Sequence, residues 1–156
     1  MMATSEIQVD SVVRNKASGY TSGFGQNDIL KKNEYYLTKA SPAGFYYSTV
    51  EDLFKFSKAL RNHELLNKDT TNLMLEPKVK GYNTYLGYGI DIDNRYNQTI
   101  IGHSGGWYGI HGELMDFMND NYTVIILSNI DDGGNSGASI VADYFKNLIA
   151  KKDLEN

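Results

Sequence analysis

The part of this 156-residue chain with the most chemical potential is the stretch from Gln98 to Glu113, QTIIGHSGGWYGIHGE. It contains two of the three histidines, the only tryptophan, and a serine within the glycine-rich segment Gly102–Gly106. A hydroxyl and imidazole rings among glycines suit acyl transfer, because glycine lets the backbone approach a ligand closely. The same pattern also fits a glycine-rich hairpin with no catalytic role.

Two further catalytic interpretations of this stretch remain open. The segment Gly102–Gly106 matches the G-x-S-x-G nucleophile elbow, in which a strand turns sharply into a helix. The residues that follow are poor helix formers, and His111 is the only later histidine. Alternatively, His111 and Glu113 lie two residues apart, hence on one face of a strand, and with His103 nearby they are candidate zinc ligands. No other segment of the sequence has the spacing of a metal-binding motif, so we predict neither a metal nor a cofactor.

The amino-acid composition argues against several classes of function. A formal net charge of −4 argues against nucleic-acid binding, which favours a basic surface. The absence of cysteine excludes disulfides, a thiolate catalyst and a cysteine zinc site. No apolar run is long enough to span a membrane, and the first ten residues lack the pattern of a signal peptide. The cellular compartment stays undetermined.

Two helices are predicted in the middle of the chain. The first begins at Ser48, because Ser48 to Glu51 forms a capping box, and its apolar face carries Val50, Leu53, Phe54 and Leu60. The second runs from about Lys68 to Leu75, with Asn67 as its cap and Pro77 as its stop. The glycine-rich loop 131–137 lacks a phosphate-binding Gly-Lys-Ser/Thr and is predicted to be a plain connection.

An antiparallel meander of about four strands is predicted after the helices. Its segments are 85–93, 98–104, 109–118 and 122–130, joined by turns such as Asn119-Asp120-Asn121. The apolar run 124–127 indicates a central strand covered on both faces. A closing helix over about 136–152 has a stripe predicted to pack on the sheet: Ile140, Val141, Tyr144, Phe145, Leu148 and Ile149. The fold class is therefore α+β.

Several segments in order resemble the C-terminal part of the serine β-lactamase-related family, which groups class C β-lactamases, D-alanyl-D-alanine carboxypeptidases and esterases. PAGFYYSTVEDLFKF, from Pro42 to Phe56, resembles the start of a family helix. LGYGI, from Leu86 to Ile90, resembles a family strand, and IGHSGG, from Ile101 to Gly106, resembles the Lys/His-Ser/Thr-Gly motif beside the active site. The resemblance implies a partial β-lactamase/transpeptidase-like fold from a bacterial protein. Family members are often periplasmic, secreted or membrane-anchored.

The resemblance also implies roles for four residues. His103 stands where many members carry lysine and would act as a proton relay or electrostatic group. Ser104 would hydrogen-bond the substrate carboxylate, and Gly105 would let the strand approach the substrate. The backbone N–H of Gly106 would be one of two oxyanion-hole donors.

The nucleophile motifs of that family are absent. No serine is followed by lysine three residues on, and no serine or tyrosine is followed by asparagine two residues on. We therefore predict a single partial domain over 1–156, loop-rich over 1–47, helical over 48–76, and sheet plus helix over 84–152. It would be the C-terminal portion of a serine hydrolase that acts on an amide or ester through an acyl-enzyme, and inactive alone. The alternative is a non-catalytic binding or interaction module.

One partner prediction concerns the strand 122–130. In the family an upstream strand lies beside it, and without that neighbour its apolar edge is open to pairing with another chain. We expect self-association through this edge, or coverage of it by the patch from Val9 to Val13. The partners of the full-length protein would be small-molecule or peptide substrates and no nucleic acid.

Overall fold

A computed structural model describes residues 4, 14–21, 30–33, 40–94, 98–131 and 137–152. The patch from Val9 to Val13 lies outside these residues. The helices within them are α1 (Val50–Arg61), α2 (Lys68–Leu75) and α3 (Gly137–Lys152). The strands are β1 (Tyr20–Thr21), β2 (Lys31–Lys32), β3 (Val79–Lys80), β4 (Tyr85–Leu86), β5 (Asp91–Asp93), β6 (Ile100–Trp107), β7 (Ile110–Phe117) and β8 (Tyr122–Ser128). No helix in the described ranges has the length and apolarity to cross a membrane.

Strands β3 to β8 form one antiparallel sheet in the order of the sequence. The strand β1 pairs with β2 in a separate ladder, and its Tyr20 forms an isolated parallel bridge with Ile130. The predicted α+β meander is confirmed. It has six strands rather than about four, because the segment predicted as one strand over 85–93 breaks at a turn. The Gly87 N–H donates to the Ile90 carbonyl at 2.8 Å, and Gly89 adopts a φ of +74°. The strand β3 adds the sixth member, and it lies outside every predicted segment.

The turn of the β7–β8 hairpin was predicted from the sequence, whereas Gly109 of the β6–β7 turn was predicted to lie in a strand. Asn121 sits at a φ of 58° between β7 and β8, a left-handed conformation that asparagine tolerates. Gly109 turns β6 into β7 at a φ of +74°. A side chain at Gly109 would also meet the backbone nitrogen of Tyr20 at 2.8 Å, so this turn packs tightly against β1.

Helix α1 begins two residues later than predicted, and its cap is Thr49 rather than Ser48. The Thr49 hydroxyl accepts a hydrogen bond from the Asp52 N–H at 3.2 Å. The Ser48 hydroxyl instead lies 2.7 Å from that of Thr4, so a long-range contact displaces the local capping box. Helix α2 is confirmed, with the Asn67 side chain as its cap.

The buried face of α1 differs from the predicted one. Asp52, Ser57 and Leu60 are buried, whereas Val50 and Phe54 are 41% and 48% exposed. The polar face is buried because the sheet presents a carboxylate to it, from Asp116 on β7. Apolar spacing alone does not reveal a polar partner.

Helices cover the two faces of the sheet, α1 and α2 on one and α3 on the other. On the α3 face, the packed residues are Ile100, Met115, Phe117, Ala142 and Ile149. On the opposite face they are Ile90, Ile92 and Ile101, with Met74 and Leu75 of α2 against them. The strand β6 contributes to both cores through its first two residues, which anchors it between the layers.

The apolar stripe predicted on α3 does not pack on the sheet as a unit. The helix faces the sheet through Ala138, Ala142 and Ile149, because alanine lets the helix approach closely. Of the predicted stripe, four residues are instead largely exposed: Ile140 at 64%, Tyr144 at 61%, Leu148 at 48% and Val141 at 43%. The strand β8 is covered on both faces, by α1 and α3, as predicted. Among the described residues it is the last strand of the sheet rather than a central one.

Asp116 is the polar node that joins α1 to the sheet, and it is 2% exposed. It accepts hydrogen bonds from the Ser57 hydroxyl at 2.6 and 2.7 Å and from the Thr123 hydroxyl at 2.6 Å. The Arg61 Nε lies 3.9 Å from one of its oxygens. Three groups therefore depend on one buried carboxylate.

We expect Asp116→Ala to lower the free energy of unfolding by about 3 kcal/mol, because it leaves two hydroxyls without their acceptor and the partly buried Arg61 guanidinium without its counter-charge. Urea denaturation followed by circular dichroism measures the loss. The control Glu64→Ala, an exposed substitution next to the same helix, should change stability by less than about 0.5 kcal/mol. Equal stability of the two variants would show that the interactions of Asp116 do not stabilise the packing of α1 on the sheet.

Candidate functional site

The second half of β6 is an open strand edge. The strand β5 pairs only with Ile100, Ile101 and Gly102, whereas β7 pairs with all of β6 from Ile100 to Trp107. In the described part of the chain, residues 103–107 therefore have a strand on one side alone. Such an edge offers backbone N–H and C=O groups to an extended ligand.

Two glycines of β6 have different physical reasons to be there. A side chain at Gly102 would lie 1.9 Å from the Leu114 carbonyl oxygen of β7, so only glycine fits at this close approach. A side chain at Gly105 would meet nothing within 4 Å, so the strand there faces open space. The predicted role of Gly105, letting a substrate approach, has the room that it requires.

The four predicted site residues, His103 to Gly106, lie together on this edge and are all exposed. Their side chains do not converge, because successive residues of a strand point to opposite faces. His103 shares the face of Ile101, against which α2 packs, and Ser104 shares the face of Ile100, against which α3 packs. Ser104 also lies inside a strand rather than at its end, so the nucleophile elbow lacks the turn into a helix that it needs.

Ser104 faces a cleft of about 280 Å³ between the sheet and α3. The cleft is acidic, because four carboxylates line it beside the single lysine Lys146. Lys146 itself lies 3.4 Å from Asp143. The residues with polar side chains that line it from the α3 side are Thr84, Asp91, Asp93, Ser104, Glu113, Ser139, Asp143 and Lys146.

His111 and Glu113 support this edge from the neighbouring strand. They share one face of β7, as their spacing predicts, with His111 Nε2 2.8 Å from Glu113 Oε1. The Ser139 hydroxyl of α3 lies 3.4 Å from the same nitrogen. In the register of the hairpin, Ser104 is opposite Glu113 and Gly106 is opposite His111, so the pair lies beside two predicted site residues.

The position of His111 and Glu113 beside the site was not predicted from the sequence, because the pair was considered only as candidate metal ligands. The tight turn at Tyr108-Gly109 fixes the hairpin register, so the opposition of Ser104 and Glu113 was available from the turn alone. Among the described residues, no group of three His, Cys, Asp or Glu side chains is arranged to hold a metal ion. The His111 Nε2 is engaged by Glu113 and Ser139 instead.

The Glu113 carboxylate lies opposite Ser104 on the neighbouring strand, and His111 Nε2 engages it at 2.8 Å. The edge also ends in an aromatic surface, where half-exposed Trp107 packs edge-on against Phe45 with ring centroids 6.2 Å apart.

The chain is similar to two penicillin-binding proteins over most of its length. It is 28% identical over 110 residues to penicillin-binding protein 4* of Bacillus subtilis, a match that spans 67% of this chain and 24% of that protein. A solved penicillin-binding protein from Bacillus halodurans superposes with a TM-score of 0.80 and 27% identity, covering 93% of this chain and 44% of the other. No family model matches the sequence.

A further solved structure supports the fold alone. The D-amino acid amidase from Ochrobactrum anthropi SV3, complexed with L-phenylalanine amide, superposes with a TM-score of 0.66 at 20% identity, over 90% of this chain and 44% of that one. The chain thus spans less than half the length of each of these proteins. Because it superposes with a TM-score of 0.80 over 93% of its length, the chain has the serine β-lactamase-like fold and corresponds to part of a serine β-lactamase-related domain.

Proposed function

We propose that the open edge of β6 is one wall of an acyl-transfer site of the serine-hydrolase type. The edge would hold the acyl group of an amide or ester in an extended conformation. The Gly106 N–H would stabilise the oxyanion, and His103 would act as the proton relay or electrostatic group. The observation that carries the proposal is the unpaired half of β6, where residues 103–107 have a neighbouring strand on one side only.

The substrate class that we propose is an amide or ester that the Ser104 hydroxyl binds through a hydrogen bond. The exposed position of Ser104 on the unpaired half of β6 supports this proposal.

The chain by itself is expected to be inactive, since the sequence has neither a Ser-x-x-Lys nor a Tyr/Ser-x-Asn motif. The pure protein should hydrolyse a fluorogenic ester and a chromogenic β-lactam no faster than buffer does. Ser104→Ala should leave that background unchanged. Turnover by the protein that Ser104→Ala abolishes would make Ser104 a nucleophile and overturn the proposal.

A chimeric protein tests directly whether the β6 edge forms a wall of the acyl-transfer site. In it, this chain replaces the matched part of the Bacillus halodurans penicillin-binding protein, whose name states that it binds penicillin. The remainder of that protein would supply the groups that this chain lacks. If the β6 edge is a wall of the site, the chimera should be labelled covalently by a fluorescent penicillin.

The absence of both motifs also favours a second function, a binding module that retains the edge without catalysis. In that case the pure chain would bind a β-lactam or an amino acid amide without turnover. Changes in the amide NMR signals of residues 103–107 on titration with phenylalanine amide would detect it. Binding by the pure chain together with an unlabelled, folded chimera would favour the binding module over the hydrolase wall.

A further inference from the structure

The direction of the backbone groups along β6 follows from one hydrogen bond beside its start. The Met118 N–H donates to the Thr99 carbonyl at 2.9 Å, which makes these two residues a hydrogen-bonded pair of the β6–β7 hairpin. Because hydrogen-bonded and non-hydrogen-bonded pairs alternate along an antiparallel ladder, Gly105 and Trp107 also bond to β7. The N–H of Gly106, which lies between them, therefore points away from β7 and into the open edge.

The backbone that carries this N–H has few restraints of its own. The peptide group joins Gly105 to Gly106, and both residues lack the side chain that would restrict their dihedral angles. In the ranges that the structure describes, no strand lies on the outer side of residues 103–107. An oxyanion donor is effective when its direction is fixed before the reaction, so a neighbouring group that restrains this peptide would serve the site.

The imidazole of His111 is such a group. His111 lies opposite Gly106 in the hairpin register. Its Nδ1 and Cε1 atoms are 3.1 and 3.8 Å from the position that a Cβ of Gly106 would occupy. The ring therefore covers the face of Gly106 that has no side chain, a cross-strand contact that stabilises glycine in sheets.

Glu113 and α3 hold the ring in this orientation. His111 Nε2 lies 2.8 Å from Glu113 Oε1 and 3.4 Å from the Ser139 hydroxyl. Since a carboxylate only accepts hydrogen bonds, the contact with Glu113 places a hydrogen on Nε2 and directs Nδ1 towards Gly106. Both partners contact the same nitrogen, so the three side chains are not a Ser-His-acid relay, in which the serine and the acid use different nitrogens.

We propose that His111, oriented by Glu113, is a positioning residue that fixes the direction of the Gly106 N–H. The inference rests on the proposed acyl-transfer site, because that site gives the N–H its use. The side chains of His111 and Glu113 are only 19% and 11% exposed, and their contacts lie within one hairpin and one helix of this chain. His111 therefore acts through the backbone of Gly106 rather than on the reacting atoms.

NMR relaxation of the pure chain tests the restraint without any need for activity. The ¹⁵N order parameter of the Gly106 amide should be about 0.85 in the wild type and should fall towards about 0.6 in His111→Ala. The amide of Ile101, buried in the same strand, should be unchanged. Glu113→Ala, which keeps the ring but releases it, should give the same fall and replaces His111→Ala if that variant does not fold. Equal order parameters at Gly106 in the wild type and the folded variants would overturn the proposal.

The chimera with the Bacillus halodurans protein tests whether the restraint serves the reaction. The dependence of labelling on penicillin concentration separates the dissociation constant of the first complex from the rate constant of acylation. Glu113→Ala should lower the acylation rate constant about 10-fold or more and leave the dissociation constant within about twofold, because a misdirected donor weakens transition-state binding. Glu51→Ala, the same change on an exposed residue of α1 across the sheet, should alter neither.

A conservative substitution separates orientation from charge. Glu113→Gln removes the charge but keeps an oxygen that accepts from His111 Nε2, so it should restore the acylation rate of the unsubstituted chimera. If Glu113→Gln is as slow as Glu113→Ala, the charge of Glu113 matters rather than its contact with the ring, and the proposal is wrong. A folded chimera with no label at all would contradict the acyl-transfer site instead, and the order parameter of Gly106 would still decide the role of His111.

Discussion

Gly102→Ala is expected to lower the free energy of unfolding by about 3 kcal/mol or more. The added methyl group would lie 1.9 Å from the Leu114 carbonyl oxygen and 3.2 Å from the Met115 Cα. Both are backbone atoms of the adjacent strand, so the clash can be relieved only by moving β6 away from β7. In a protein of this size the loss corresponds to a fall of about 6–12 °C in the melting temperature, which differential scanning calorimetry measures.

The matched control is Gly105→Ala, three residues along the same strand. A methyl group there meets nothing within 4 Å, so stability should change by less than about 1 kcal/mol. Equal losses from the two substitutions would mean that β6 does not approach β7 at Gly102 more closely than at Gly105. The strand position that we derive for the site would then be wrong.

His103→Ala in the chimera is expected to slow covalent labelling by the fluorescent penicillin by about 100-fold. His103 is exposed on the open half of β6, on the face opposite Ser104. Loss of a proton relay or an electrostatic group at the reacting centre costs a factor of this order or more. The labelling rate constant, taken from a time course on a denaturing gel, measures the effect.

His63→Asn is the control for this substitution. His63 is an exposed histidine after α1 with a φ of 61°, a conformation that asparagine also tolerates. This variant should label at the rate of the unsubstituted chimera. If His103→Ala labels equally fast while keeping its fold, His103 has no part in the reaction and its predicted role is wrong.

The parts of the fold that depend on local sequence could be predicted. The apolar run 124–127 and the Asn119-Asp120-Asn121 turn predicted the β7–β8 hairpin, and Asn67 and Pro77 predicted the bounds of α2. The resemblance of IGHSGG to a family motif placed the candidate site on a strand. In each case the residues that predict the element lie within a few positions of one another, so the sequence alone identifies it.

The parts of the fold that could not be predicted depend on contacts between elements that are distant in the sequence. The buried face of α1 is polar because Asp116 lies opposite Ser57, a pair 59 residues apart. The helix α3 turns alanines rather than its large residues to the sheet, and apolar periodicity cannot distinguish a face that packs from one that stays exposed. The open half of β6 exists because β5 stops at its pairing with Gly102, a register that involves three strands.

If the open edge of β6 is a wall of an acyl-transfer site, the chimera should form a covalent adduct of one penicillin per chain, which intact-mass spectrometry detects. The rate of labelling should be within about tenfold of that of the parent protein. The same chimera with Gly105→Val should fold and label far more slowly, because the branched side chain occupies the open edge. A chimera that folds but forms no adduct, or that labels equally well with Gly105→Val, would contradict it.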